Sequence, residues 1–321
     1  MTQRVAVVGA TGQIGRPLCS ALLRAGHSVV VFSRDPARAK RVVPGAVDYV
    51  AWSPGGPPRE YADHLESADA VVYLAGAPLF DGGRHSRADV ETESLSRVAA
   101  LGQLVTALAG LSRRPGVLIA ASSVGYYGYA AGGGGLPVDE THPAGTDWWG
   151  RDSAAIEQAA LAARDYGLRT VVLRTGYVLT PESLASQVAQ FRRHLGGWIG
   201  TGGGWTPWIH LADEVGIIMF ALQQPEVSGP VNLTAPEPPR AREFARSLGR
   251  TVGRQAWLPV PPPFVRLGLG AVTDIVVKGK RVIPARVSAL GYQFGFPDLD
   301  PALRDLLGQP VDAKVDTRAA R

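Results

Sequence analysis

Residues 5–15 read Val-Ala-Val-Val-Gly-Ala-Thr-Gly-Gln-Ile-Gly, and this stretch constrains the fold of the chain more than any other. Val5–Val8 make a short apolar run of the kind buried in a parallel sheet. Gly9, Gly12 and Gly15 follow at three-residue spacing, and Arg16–Leu23 then reads as a helix. A strand, a glycine turn and a helix N-terminus in that order form a cradle for a dinucleotide. Gly9 permits the tight turn, Gly12 lets backbone approach a pyrophosphate, and Gly15 lets the helix pack close to the strand. The free N–H groups and dipole of the helix favour phosphate. Thr11, Gln13 and Ile14 complete the loop and count among the expected cofactor contacts.

Apolar runs and helical patterns alternate after this point. Strands are expected at Val5–Val8, Ser28–Phe32, Val47–Ala51, Ala70–Leu74, Val117–Ala121 and Thr170–Leu173, with helices near 14–25, 58–66, 86–112 and 152–166. Such alternation implies an α/β fold, a Rossmann doubly wound parallel sheet. Its ligands bind beyond the carboxyl ends of the strands. That rule gathers Gly9–Gly15, Ser33–Arg34, Ala75–Gly76, Ser122–Ser123 and Thr175–Gly176 around one crevice.

The alternation fails near residue 180. Residues 195–210 are rich in glycine and tryptophan, and such a loop can cover a site with indole rings. Trp205, Trp208 and His210 are therefore expected in the substrate pocket, with Trp149. A helix near 213–223, a strand at Val231–Thr234, a helix near 240–252 and the proline-rich Pro259–Pro263 follow. The expected division is a cofactor domain over 1–180, to which 205–235 returns, and a smaller C-terminal α/β substrate lobe over 181–204 and 236–308. Residues 309–321 read as a polar tail, and Ala131–Gly135 as a flexible loop beside the site.

Composition narrows the function classes. Hydrophobic residues make up 45% and charged residues 19% of the 321, which suits a globular chain long enough for a Rossmann domain and a second lobe. The net charge of +5 is spread without a dense basic run, so no nucleic-acid partner is expected. Cys19, alone and on the apolar side of the first helix, excludes an internal disulfide and reads as a packed thiol. No histidine or carboxylate pair has metal-ligand spacing, so no metal is expected. The chain opens directly on a strand, leaving no room for a signal peptide, and no apolar run reaches membrane-spanning length. The default expectation is a cytoplasmic protein with a small-molecule substrate and no membrane partner, as a monomer or homodimer.

Dinucleotide binders that use NAD place an acid about twenty residues past the glycines, on the ribose hydroxyl. Here the second strand ends in Ser33 and Arg34, and Asp35 is one position late, where it suits the cap of a helix opening at Pro36. A guanidinium at that place favours the 2′-phosphate of NADP(H) over NAD(H).

Several segments together resemble the extended short-chain dehydrogenase/reductases, in particular the atypical subgroup labelled nucleoside-diphosphate-sugar epimerases. They are Gly9–Gly15, Leu74–Gly76, Ser96–Val98, Ser122–Gly128, Arg174–Leu179, Leu195–Gly200, Trp208–Asp213 and Gly229–Pro236. From Pro259 through Phe294 the chain is similar to that subgroup's C-terminal domain of unknown function. The resemblance implies a Rossmann fold with a small substrate lobe, and NADP(H) contacts at Ser33, Arg34, Leu74, Ala75, Arg97 and Val178. Gly76, Ser122 and Arg174, at their strand ends, are counted with them. Arg174 has two other readings, a buried acid partner or an anionic substrate. Related short-chain dehydrogenases often dimerise through the helices matching 86–112 and 152–166, which leaves both a monomer and a homodimer open here.

The wider superfamily uses a Ser, a Tyr and a Lys four residues later. Counting back from Glu157 puts Trp149 in the Tyr slot and Ser153 in the Lys slot, while Ser122 or Ser123 fills the Ser slot. An indole is not a usable acid and Ser153 carries no charge. Ser123, Tyr126 and Tyr127 are the candidate catalytic residues in their place, a phenol serving as a neutral donor to a substrate oxygen. One of the two tyrosines packing in the core is the competing reading. Asp213 is expected to cap a helix, and Asp139 and Glu140 are candidates to face substrate. The reading that fits is an NADP(H)-dependent oxidoreductase reducing a carbonyl or activated double bond without the Tyr-Lys pair. The alternatives are a sugar-nucleotide epimerase or dehydratase, and a non-catalytic NADPH-binding regulator.

Overall fold

The computed structural model describes residues 2–76, 86–129, 135–263, 265, 273 and 278–308. The polar tail and the glycine loop, except Gly135, lie outside the described residues. Strands and helices are numbered along the chain.

Seven parallel strands build the main sheet: β1 (Arg4–Val8), β2 (Ser28–Ser33), β3 (Asp48–Ala51), β4 (Ala70–Tyr73), β5 (Val117–Ser123), β6 (Arg169–Thr175) and β10 (Gly229–Leu233). Their spatial order is β10-β6-β5-β4-β1-β2-β3. The order turns around at β1, where Val8 pairs with Phe32 of β2 on one side and Tyr73 of β4 on the other. A crevice therefore opens beyond the carboxyl ends of β1 and β4, the switch point where such sheets take ligands.

Period-two alternation explains why both faces are covered. Val5 and Val7 point to a layer that includes Leu18, Cys19 and Leu22 of α1 (Gly15–Arg24) and Ile217 and Ile218 of α7 (Leu211–Gln223). Ala6 and Val8 point to the other layer, with Leu101, Leu104 and Leu108 of α4 (Arg87–Ala109) and Ile156 of α5 (Trp148–Leu161). Each fully buried Val or Leu contributes about 1.5–3 kcal/mol, so these layers hold the strand ends in fixed relation. Cys19 is a packed thiol, as expected, and burial pushes its pKa up to about 12.

Local chemistry sets the helix starts. Ser86 and Asp89 form a reciprocal capping box at α4. Asp35 caps α2 (Pro36–Val42), accepting from the Arg38 N–H at 2.9 Å. The helix expected near 152 begins four positions earlier, because Asp147 accepts from the Gly150 N–H at 2.9 Å and also from the Tyr129 N–H. The helix expected over 58–66 is divided, with a 3-10 turn at Pro58–Glu60 and then α3 (Ala62–Glu66), because Tyr61 between them leaves helical geometry at φ −138°.

Beyond β6 the chain makes two small parallel pairs: β7 (Tyr177–Leu179) with β9 (Trp208–His210), and β8 (Gly197–Ile199) with β11 (Leu258–Val260). Leu184 and Phe191 of α6 (Pro181–Arg192), Phe244 and Leu248 of α8 (Ala241–Val252) and Leu303 of α10 (Leu299–Leu306) pack around Trp208. The short α9 (Ala285–Ala289) lies against β10. Asp213 does not cap α7. His210 does, its Nδ1 accepting from the Ala212 N–H at 3.1 Å. Asp213 instead accepts from the N–H groups of Gly295 (2.7 Å) and Phe296 (2.9 Å) and from the Tyr292 hydroxyl (3.2 Å), which fastens the C-terminal segment to α7.

Glu214, its neighbour, is wholly buried. Its Oε1 accepts from the Thr175 hydroxyl at 3.0 Å, and its Oε2 has no partner among the described residues. Burial pushes its pKa up to about 8. The folded protein thus holds a proton that the unfolded chain releases at ordinary carboxylate pH, so stability falls as pH rises, by at most about 1.4 kcal/mol per pH unit. Urea unfolding at pH 5, 6.5 and 8 is expected to show this decline in the wild type and a flatter profile in Glu214→Gln.

Candidate active site

The cofactor end of the crevice is set by close backbone approach. Gly9 has φ +87°, and a Cβ there would stand 2.7 Å from the Leu74 carbonyl carbon. A Cβ on Gly15 would stand 2.2 Å from the Gly9 carbonyl oxygen. Only glycine allows β1, β4 and α1 to meet so closely. No side chain caps the N-terminus of α1, so its dipole and N–H groups face the crevice without an internal anion.

Arg97 of α4 lies across Gly76, where a Cβ would come within 2.8 Å of its Nε. That Nε is buried and has no hydrogen-bond partner among the described residues. Asp152 of α5, which accepts from the Ser94 hydroxyl, stands behind it. Burial raises the Asp152 pKa to about 6, with the Arg97 charge opposing. At the end of β2, Ser33 Oγ accepts from the Asp35 N–H at 3.2 Å, and the Asp35 carboxylate is engaged in capping α2. Exposed Arg34 borders a cleft with Ala51, Trp52, Ser53 and Tyr61, and has no ion pair among the described residues. The tight cradle, the orphaned Arg97 Nε and the unpaired Arg34 fit the phosphates of NADP(H). The Asp35 carboxylate at the β2 end is taken by the α2 cap, and Glu60 lines the same cleft as Arg34.

The chemical end is organised around one buried ion pair. Arg174 of β6 and Glu157 of α5 make a bidentate contact, Nε to Oε1 and Nη2 to Oε2 each at 2.9 Å, with side chains 3% and 4% exposed. Ser122 Oγ donates to Glu157 Oε1 at 3.1 Å. Arg174 Nη1 donates to the Tyr127 hydroxyl at 2.9 Å, and that hydroxyl donates to Asn232 Oδ1 at 2.7 Å. Glu140 closes the network, accepting from the Asn232 N–H at 2.9 Å. Of the three readings of Arg174, the structure supplies a buried acid partner.

The two tyrosines part company here. Tyr127 is buried with its hydroxyl committed on both sides, and burial pushes its pKa well up. It is therefore not an available donor, and the core-packing reading describes it. The Tyr126 ring lies over the Arg174 guanidinium at 3.4 Å, half-buried, and its hydroxyl has no hydrogen bond among the described residues. Ser123 Oγ accepts from the Gly125 N–H at 2.9 Å and lies 3.5 Å from Ser153 Oγ. The Ser and Lys slots of the resemblance thus face each other across β5 and α5, with hydroxyls in both.

The expected pocket aromatics are dispersed. Trp208 is wholly buried among Leu184, Phe191, Phe244, Leu248 and Leu303 and offers no face to a pocket. His210 is also buried, stacked on Phe296 at 3.8 Å with Nε2 3.3 Å from Asp305 Oδ2, and burial lowers its pKa. Trp149 packs edge-on against Trp148 and Tyr129. Trp205 is half-buried under the Arg240 guanidinium at 4.3 Å. Val178 lies in β7, its carbonyl accepting from Ser183 Oγ at 2.9 Å. Asp139 accepts from Thr141 and does not join the network, whereas Glu140 does.

Sequence reasoning missed Glu157, Asn232 and Lys280 as partners in this network. A charge-balance argument could have found the first, since an Arg inside an apolar strand needs a buried acid. Nothing local marks Lys280, whose ammonium donates to the Tyr127 carbonyl oxygen from a segment 153 residues away.

Comparison with known proteins gives two family matches. Residues 5–233 match the NAD dependent epimerase/dehydratase family, and residues 260–306 match a domain of unknown function, DUF1731. The chain is 34% identical over 310 residues to the chloroplastic epimerase family protein SDR39U1 homolog of Arabidopsis thaliana, covering 94% of this chain and 86% of that one. It is 32% identical over 308 residues to the epimerase family protein YfhF of Bacillus subtilis, covering 94% and 97%. A crystal structure of the human epimerase family protein SDR39U1 with NADPH superposes with a TM-score of 0.81 at 32% identity, covering 95% of this chain and 99% of that one.

The buried pair yields a stability prediction. Arg174→Met strands the Glu157 carboxylate, and a loss of about 3–5 kcal/mol is expected in urea unfolding at neutral pH. Arg174→Lys, unable to make the bidentate contact, is expected to recover only part of it.

Proposed function

The chain belongs to the NAD dependent epimerase/dehydratase family, and within it we propose an NADP(H)-dependent oxidoreductase that reduces a carbonyl or activated double bond of a small organic substrate. The observation that carries this reading is the Tyr126 hydroxyl. It follows β5 at the carboxyl edge of the sheet and is free of hydrogen bonds among the described residues, while its neighbour is locked. NADPH, when bound, supplies hydride; the protein must supply a place for the charge that develops on the substrate and a proton to neutralise it.

In this reading Tyr126 donates a hydrogen bond to the substrate oxygen, and the Arg174 guanidinium stacked on its ring holds the phenol in place. Ser123 stands beside the same turn as a second polar contact. No lysine holds the Ser153 slot, so Tyr126 acts as a neutral donor. Such a donor suits a substrate in which charge spreads over a carbonyl or enone. It suits poorly the oxidation of a sugar hydroxyl, which requires a base. Gly9–Gly15, Arg97 and Arg34 would hold the cofactor, Arg34 at the 2′-phosphate. The crystal structure of the human relative with NADPH supports the choice of cofactor.

Two measurements test the reading. Arg34→Ala is expected to weaken NADPH binding at least tenfold, about 1.4 kcal/mol, and leave NADH binding nearly unchanged in fluorescence titrations. Absorbance loss at the reduced nicotinamide band, with panels of ketones, enones and sugar nucleotides, is expected to find turnover on the first two. Tyr126→Phe should then lower kcat at least tenfold with NADPH affinity intact, whereas Tyr127→Phe should chiefly lower stability. Tight NADPH binding without turnover on any panel would remove the oxidoreductase assignment.

A further inference from the structure

The acids that touch the Tyr126–Tyr127 turn and its network are already engaged. Glu157 is taken by Arg174, Glu140 by the N–H groups of Asn232 and Arg286, and Asp147 by those of Tyr129 and Gly150. Lys280 differs from the cations these acids serve. The residue is half-buried, and its ammonium donates to the Tyr127 carbonyl and meets no carboxylate among the described residues. An ammonium has three donors and is costly to desolvate without a counter-charge.

Its position is imposed from several sides. The Trp205 N–H donates to the Gly279 carbonyl at 3.0 Å, the Val138 N–H to the Arg281 carbonyl at 2.7 Å, and the Ile283 N–H to the Val138 carbonyl at 3.0 Å. Val282 packs with Val124 and Tyr127. Trp205 lies within 4.3 Å of the Arg240 guanidinium and 5.3 Å of that of Arg281. Arg240 donates only to the Gly203 carbonyl through its side chain, at 2.6 Å, and Arg281 pairs with exposed Glu237. The segment that carries Lys280 therefore brings to the turn that carries Tyr126 an ammonium that meets no carboxylate among the described residues, and its backbone is hydrogen-bonded to that of Trp205.

We propose that the substrate carries an anionic group, a carboxylate or a phosphate, that is received by Lys280 beside Tyr126, with Trp205 and Arg240 as the adjoining wall. This deepens the small-molecule reading of the crevice and rests on it. The anion completes the coordination of the ammonium and sets which end of the substrate faces the cofactor. Lys280 is here a residue of substrate specificity; the proton remains with Tyr126.

The test is isothermal titration of the protein saturated with NADP+, using benzoate, phenyl phosphate and the neutral benzamide as probes. At least one anion is expected to bind and benzamide is not, and the anion that binds identifies the group. Lys280→Met should weaken that binding at least tenfold with NADPH affinity and melting temperature unchanged, and Lys280→Arg should restore most of it. Lys280→Gln is the second variant if Met disturbs the segment. Equal anion affinity in wild type and the neutral variants, or no anion binding while NADPH still binds, overturns this inference and leaves the cofactor reading standing. Loss of NADPH binding in the wild type overturns both.

Discussion

The Glu157–Arg174 pair is the contact on which the chemical half of the molecule depends. It joins α5 to β6 across the carboxyl end of the sheet, and both members are almost fully withdrawn from water. Such a pair is tolerable only when every lone pair and proton is used. Here Ser122 donates to Glu157 and Tyr127 accepts from Arg174, the Tyr127 hydroxyl in turn donates to Asn232, and Glu140 extends the chain to the N–H groups of β10 and of Arg286 at the start of α9. One ion pair and its network thereby join five elements from distant parts of the sequence, and the flat face of its guanidinium seats Tyr126.

This arrangement explains how the chain can keep a dinucleotide fold while lacking the Tyr-Lys pair on α5. The first turn of α5 is occupied by Trp148 and Trp149, which pack edge-on, and Ser153 faces Ser123. Positive charge at the turn after β5 comes instead from β6, as Arg174, and from the C-terminal segment, as Lys280. Neither is at helical spacing from a tyrosine. Burial of the Tyr127 hydroxyl and release of the Tyr126 hydroxyl then follow from which ring points toward Asn232.

Legibility in the sequence followed the range of the interactions. The glycine cradle was readable because backbone crowding acts over a few residues: Gly9 and Gly15 meet within one turn. The sheet was readable because each strand is an apolar run, and doubly covered strands need no alternation. Asp35 as a cap was readable for the same local reason. Asp213 was not, since its partners are the N–H groups of Gly295 and Phe296, about eighty residues on. Trp208 and His210 carried an aromatic and titratable signal that suggested a pocket, yet packing withdrew both from the surface.

The sequence by itself determined the parallel α/β sheet, the dinucleotide cradle, the phosphate-compatible Ser33-Arg34 end of β2 and the loss of the usual acid from α5. Each is written in neighbouring residues, through steric freedom at glycine, strand periodicity or a missing functional group. Only the tertiary structure decided which tyrosine is free, which acid neutralises Arg174 and which cation reaches the turn after β5. Those outcomes depend on desolvation and charge pairing between segments up to 153 residues apart. Burial makes an unpaired charge or hydroxyl costly only once the fold has removed water from it.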